Sequence, residues 1–320
     1  MALIRKLPIA PNFNFIGKRM AMLAFAACLF SASLLLFATV GLNFGVDFRG
    51  GILIEVRTNG PANLSDMRSR LGALGLGAVT LQEFGAADEV LINLQRQEGE
   101  ESAQGAAVQA VKEALGSRVT EYRRTEFVGP KVGGELKVAG ALATVLAILG
   151  IALYVWFRFE WPFAVAALVA LIHDVVAMIG FFALTQLEFD LSTLAAVLTV
   201  AGYSINDTVV IFDRVREALR KYKKMPILEL LNMSINQTLT RTILTSSTTL
   251  LAVLALAIFG GAVIRGFSTS LIWGILVGTY SSFGLAVPLL TFMNLRRAGI
   301  GDEEKGEKRP SKAKTSAKTT

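Results

Sequence analysis

Two carboxylates, an imidazole and a guanidinium lie within or beside stretches that are otherwise apolar enough for hydrocarbon. Asp207, preceded by Asn206, falls inside the run 191–212, with Val209, Val210, Ile211 and Phe212 still to follow. Asp174, preceded by His173, falls inside the run 161–184. Arg241 stands immediately before the run 242–263, which opens with the hydroxyls Thr245, Ser246, Ser247, Thr248 and Thr249. A carboxyl group at such depth costs roughly 2.5–3.5 kcal/mol even on lenient insertion scales, and a chain needing only an anchor would place Leu there. The chemistry open to these residue types is proton binding and a charge-assisted pair whose strength depends on protonation.

Depth follows from the 1.5 Å rise of a helix. Asp207 is six residues before Asp213, or roughly 9 Å from that end of its span, and Arg241 opens the next span from the same side. Asp207 and Arg241 are therefore expected at similar depth on neighbouring helices, with Thr245 one turn further along. Asp174 is thirteen residues beyond Trp161, near mid-membrane. Plainer readings stand beside these. Arg241 also fits an ordinary snorkelling residue at a helix edge. Asp207 also fits a carboxylate bonded to a neighbouring hydroxyl such as Ser204. His173 and Asp174 also fit a hydrogen-bonded pair that locks helix packing, or members of a proton relay. Ser270, Gly274, Gly278 and Ser282 recur every fourth residue and form a small-residue stripe for close helix contact.

The elements that must carry these residues are six membrane helices, expected at 20–42, 134–157, 161–184, 191–212, 238–263 and 267–293. The first is longer than the apolar region of a cleaved leader, the alternative at that position, and is expected to be retained. Between the first and second, residues 43–133 change character. Short apolar runs at 51–58, 80–84, 89–95 and 119–128 read as strands, and 64–74 and 106–115 as helices. The order β-α-β-β-α-β is that of a ferredoxin-like α+β domain. Glycines flank the links 43–49 and 131–134, which are expected to act as pivots for that domain. Segment 213–237 is basic, with Ile227, Leu228, Leu230, Leu231 and Ile235 at helical spacing, and reads as an amphipathic segment at the membrane surface. Residues 294–320 read as a disordered tail.

Short loops rich in Lys and Arg share one side: the tail 1–19, the Arg158 loop, 214–224 and Arg296–Arg297. Positive-inside placement puts both termini in the cytoplasm of a bacterial inner membrane and 43–133 in the periplasm. With 53% hydrophobic and 18% charged residues, the chain is a polytopic helical membrane protein. Its net charge of +7 is spent on topology, which argues against a nucleic-acid partner and for contact with lipid. One cysteine, Cys28, and one histidine leave no basis for a disulfide framework or a Cys/His metal site. No G-x-x-x-x-G-K-[ST] and no G-x-S-x-G occurs, so neither ATP-driven work nor an enzyme of the hydrolase type is expected, and no cofactor.

Five motifs in order carry a family resemblance: GVDFRGG after the first span, HDVV in the third, GYSINDTVVIFDRVRE in the fourth, TRTILTSSTTLL opening the fifth and GFSTSLIWGILVGTYSS in the sixth. Over about residues 43–292 the chain resembles SecF, the smaller subunit family of the bacterial SecDF protein-export factor in the resistance–nodulation–division superfamily. That resemblance implies a SecD partner, association with the SecYEG channel and YajC, and use of the proton gradient to promote preprotein translocation. It also implies that Asp207, in the NDT motif, and Arg241, in the R-T motif, are the coupling residues, with His173 and Asp174 in a motif of less defined role. The alternative within the superfamily is a proton-coupled exporter half acting on small molecules or lipids.

Overall fold

The computed structural model describes residues 12–77, 79–83, 86–97, 99, 101–261 and 264–295. The expected tail beyond 295, Arg5 and Lys6 of the leading segment, Phe84 at a strand end and Val263 at a helix end lie outside them. Six helices are long and apolar enough to cross a membrane. They are α1 (Arg19–Thr39), α5 (Pro130–Arg158), α6 (Trp161–Thr185), α7 (Leu191–Lys221), α8 (Ile227–Phe259) and α9 (Arg265–Ser281), the last extended by a π turn, Ser282–Ala286, and α10 (Val287–Leu290). Helices are what a lone chain segment can form in hydrocarbon with every backbone group bonded internally. Their ends are written in the sequence. Proline opens α5 and α6, and Asp190 with Thr193 forms a reciprocal capping box at the start of α7.

The six spans are not equivalent. α6 and α9 are mostly buried, α7 is intermediate, and α1, α5 and α8 expose Leu35, Leu149, Trp156, Leu251 and Ile258 on their outer faces. Glycine sets how closely the inner helices approach. A Cβ on Gly274 of α9 would lie 2.2 Å from Val200 Cγ2 on α7, and one on Gly278 would lie 3.0 Å from Ser204 Cβ. A Cβ on Gly180 of α6 would lie 2.4 Å from Ser33 Cβ and 2.7 Å from its Cα on α1. With no hydrophobic drive between helices in lipid, this close van der Waals contact is what holds them together.

The cytoplasm-facing end, as the charge pattern predicts it, differs from expectation. α7 continues to Lys221 and α8 begins at Ile227, so 213–237 is two helix ends joined by a short turn and contains no separate surface helix. Most of the apolar face of 227–235 packs on protein, with Leu228 left exposed. Leu230, Leu231 and Ile235 are buried with Phe159, Phe163, Phe212, Val215 and Leu219. Asn232 and Asn236, one turn apart on α8, also bond the backbone of Phe13 and Ile16 and strap the segment before α1 to the bundle.

The segment between α1 and α5 forms a four-stranded antiparallel sheet of order β2-β3-β1-β4. Its strands are β1 (Gly51–Thr58), β2 (Val79–Glu83), β3 (Glu89–Gln95) and β4 (Val119–Val128), with α3 (Leu64–Gly72) and α4 (Glu101–Leu115) on one face. Ile52, Ile54, Val56, Ile92 and Leu94 alternate toward Met67, Leu71, Val111 and Leu115 and form a core of their own. The links expected to pivot are folded. Residues 46–49 form the single turn α2 (Val46–Arg49), and Phe44 and Phe48 pack on Phe189. The Gly45 amide donates to the Phe189 carbonyl at 3.0 Å, and the Phe189 amide to Asn43 at 2.8 Å. Residues 131–134 lie in the first turns of α5, where Gly133 serves close approach, since a Cβ there would sit 2.9 Å from the Phe48 carbonyl oxygen.

The Gly180–Ser33 contact gives a test. Gly180→Val should destabilise the α1–α6 packing by about 1–3 kcal/mol, read as earlier thermal unfolding of the detergent-solubilised protein. Adding Ser33→Gly should recover part of the loss, and an unchanged melting curve for Gly180→Val alone would contradict the packing described.

Candidate functional site

The polar residues singled out in the sequence come together along a seam between α6, α7, α8 and α9. On α7, Ser204, Asp207 and Thr208 stand three and four residues apart and share one buried face. Asn206 points away from that face and is exposed. The seam divides into two clusters that treat their carboxylates differently.

Asp174 is fully buried at the centre of the bundle. Its Oδ2 accepts the Ser204 hydroxyl of α7 at 2.5 Å and the Ser281 hydroxyl of α9 at 2.6 Å. Its Oδ1 is 3.0 Å from Nδ1 of His173, which is buried beside it and stacks near Phe30 of α1. The carboxylate thus ties three helices together with short bonds, while Nε2 of His173 is buried without a partner among the described residues. Ser282 extends the cluster: its hydroxyl accepts from Thr208 at 3.0 Å and donates to the Gly278 carbonyl at 2.9 Å.

Asp207 is also buried but is held loosely. The Thr245 and Ser246 hydroxyls of α8 reach its two oxygens at 3.5 Å each, the outer limit of a hydrogen bond. Thr245 is already committed to the Arg241 and Thr242 carbonyls at 3.0 Å, and Ser246 to the Thr279 hydroxyl of α9 at 2.7 Å. Arg241, one turn before Thr245, is exposed and lines a groove of about 760 Å³ between α5, α7 and α8, with Tyr154, Arg158, Asp213 and Arg214. Among the described residues the ion pairs at this level are Arg158–Asp213 at 2.9 Å and Arg214–Glu217 at 2.5 Å. Asp207 and Arg241 do not form one, so the pair expected between them is open in this structure. Arg241 stands one turn before Thr245, a residue of α8 that reaches Asp207.

The small-residue stripe does two jobs. Gly274 and Gly278 set the α7–α9 distance, Ser270 is buried and bonds the Phe267 carbonyl at 2.7 Å, and Ser282 joins the polar cluster. Thr208, Thr279 and Ser281 went unremarked in the sequence. A helical wheel places Ser281 three residues from Gly278 and Thr208 four from Ser204, which is the one signal that pointed to them.

Comparison with known proteins adds family membership. Residues 107–296 match the family model described as protein export membrane protein SecD/SecF, C-terminal, and residues 35–62 match the SecD/SecF GG motif. The protein translocase subunit SecF of Rickettsia felis is 46% identical over 300 residues, covering 92% of this chain and 96% of the relative. That of Rickettsia rickettsii is 47% identical over 298 residues, covering 91% and 95%. The crystal structure of SecDF from Thermus thermophilus, a translocon-associated membrane protein, superposes with a TM-score of 0.77 at 35% identity. It covers 89% of this chain, which spans 39% of that longer chain. A second SecDF crystal structure, in a super-membrane-facing form, gives a TM-score of 0.68 at 34% identity. With six membrane-length helices, an antiparallel sheet domain after the first and relatives matched over nearly their whole length, the chain belongs to the SecF family of protein translocase subunits.

Proposed function

We propose that this chain pairs with a SecD partner and uses the proton gradient to promote preprotein translocation through the SecYEG channel, with YajC as a further partner. It would do so as a transport subunit without enzymatic chemistry or a cofactor, from the bacterial inner membrane, with both termini cytoplasmic and the sheet domain periplasmic. The observation that carries the proposal is Asp207: a buried carboxylate with only two long hydrogen bonds, beside an arginine that has no ion-pair partner among the described residues. Ionised, Asp207 draws Arg241 across the α7–α8 seam. Protonated, it is content with the Thr245 and Ser246 hydroxyls, and Arg241 is released to its groove. The magnitudes match. A proton crossing 100 mV releases about 2.3 kcal/mol, the same order as the roughly 2.5–3.5 kcal/mol that inserting a carboxyl side chain at the helix centre costs.

A second feature supports the SecD partner. α7 turns Ser192, Ala195, Thr199, Gly202 and Asn206 out of the bundle at spacings of three and four. Small and polar residues along one face of a membrane helix suit another helix better than lipid tails. That face adjoins the Arg241 groove and would bring a partner helix beside Asp207.

We assign Asp174 and His173 a positioning role beneath this site. Short bonds to Ser204 and Ser281 fix the register of α7 against α9, and Asp207 lies one turn beyond Ser204. Asn206 contributes to the outer face, and Ser204 and Thr245 support the two carboxylates.

Preprotein translocation into inverted vesicles containing SecD separates the roles. Asp207→Asn should abolish the gradient-dependent increment while the complex still assembles, and a full increment in that variant would contradict the proposal. Asp174→Asn keeps an oxygen to accept the serine hydroxyls and should retain most of the increment. Asp174→Leu orphans those hydroxyls at a cost of about 1–3 kcal/mol each and should lower the yield of assembled complex. If Asp174→Asn instead behaves like Asp207→Asn, Asp174 carries protons as well.

A further inference from the structure

The loop joining α6 to α7 holds a carboxylate with no structural duty. Asp190 closes the capping box of α7, and Asp47 accepts the Leu191 amide at 3.1 Å. Glu188 neither caps a helix nor, among the described residues, forms an ion pair. It is half-buried in a cleft of about 620 Å³ between this loop and the sheet domain. The roof of that cleft is the sheet face opposite α3 and α4, where Leu53, Asn93 and Thr80 stand side by side on β1, β3 and β2.

Two polar groups of the roof bear on Glu188. Thr80 lines the cleft together with Glu188, and its hydroxyl favours the ionised carboxyl. Asn93, paired with Thr80 in register and only 6% exposed, has a side-chain oxygen without a partner among the described residues. An ionised carboxylate only accepts hydrogen bonds and cannot satisfy that oxygen, whereas a protonated one has an O–H to give. Charged groups face Glu188 from each surrounding element: Asp190 on its own loop, Asp47 and Arg49 on α2, Glu83 on β2 and Arg265 at the start of α9. Burial first, then the Asp190 and Asp47 charges, push the Glu188 carboxyl above the usual carboxylate range, against the opposing pull of Thr80 and Arg49.

We infer that Glu188 is a proton-binding site outside the membrane span, whose protonated carboxyl bridges Thr80 and Asn93 and seats the sheet domain on the α6–α7 loop. The site is separate from Asp207, and its existence does not depend on the role given to that residue. The direction is fixed by linkage. Because the seated cleft raises the proton affinity of Glu188, proton binding favours the seated form; the gain is present at low pH and lost as pH rises through the raised value. On the proposed periplasmic side this makes the resting position of the domain responsive to the more acidic face of the gradient.

The test uses the full chain with its SecD partner in lipid nanodiscs, with Cys28→Ser, and spin labels at Glu113→Cys on α4 and Thr185→Cys at the end of α6. Distance distributions are recorded at about pH 5 and about pH 8, on either side of a raised carboxylate titration. The parent should show one narrow distribution at the lower pH and gain a broader, shifted population at the higher. Glu188→Gln, whose amide donates to Asn93 at any pH, should hold the narrow distribution throughout, and Asn93→Leu should shrink the pH response. A parent distribution that does not change with pH overturns the inference. So does a Glu188→Gln response as large as the parent's, which would assign the titration to another group of the cleft.

Discussion

A carboxylate carried into hydrocarbon has two ways to be tolerated: every lone pair can be bonded by protein, or the group can shed its charge by taking a proton. Asp174 on α6 and Asp207 on α7 are buried carboxylates of the two kinds, and Asp207 lies three residues beyond Ser204, which bonds Asp174. Asp174 accepts two short serine bonds and lies against His173, and it draws α6, α7 and α9 onto one point. Asp207 is left with two hydroxyls at 3.5 Å, each of which also makes a shorter hydrogen bond elsewhere. Bonding of the first kind makes a fixed centre. Bonding of the second kind leaves a group whose energy changes with its protonation, which is why the proposed coupling is placed on Asp207 and Arg241.

The close packing of the inner helices exists to hold this arrangement. Ser204 reaches Asp174 because Gly278 lets α9 and α7 approach until a methyl group would press on the serine side chain. Gly274 does the same against Val200 one turn away, and Gly180 against Ser33 on the far side of α6. α8, whose hydroxyls reach Asp207, is far less buried than α9, with much of its outer face exposed. The rigid side of Asp207 is thus α9 and the yielding side is α8, which carries Arg241, Thr245 and Ser246.

What could be seen in the sequence follows from what local chemistry encodes. Asp207, Asp174 and Arg241 stand out because their surroundings are apolar, and the β-α-β-β-α-β order of the sheet domain is carried by alternation and turn residues alone. Serine and threonine partners are harder to find. In membrane helices most hydroxyls bond the carbonyl one turn back, as Thr248 and Thr269 do here. Ser281, which also crosses to Asp174, looks no different from them in one dimension. The run 227–235 looks like a surface helix in one dimension because helical periodicity reports an apolar face without naming what covers it; Phe212 and Leu219 share a core with Leu230, Leu231 and Ile235, while Leu228 stays exposed. The links at 43–49 and 131–134 looked loose because glycine permits both freedom and close approach, and Gly133 is used for the second.

The contrast between the two carboxylates is most directly tested by infrared difference spectroscopy of the carboxyl stretch, on the reconstituted SecDF complex stepped from high to low pH. Parent, Asp207→Asn and Asp174→Asn proteins would be compared under the same step. The account predicts a protonation band in the parent that is missing from Asp207→Asn and retained in Asp174→Asn. A band that survives loss of Asp207 and disappears with Asp174 would contradict it, and would make the tightly bonded carboxylate the one that carries the proton.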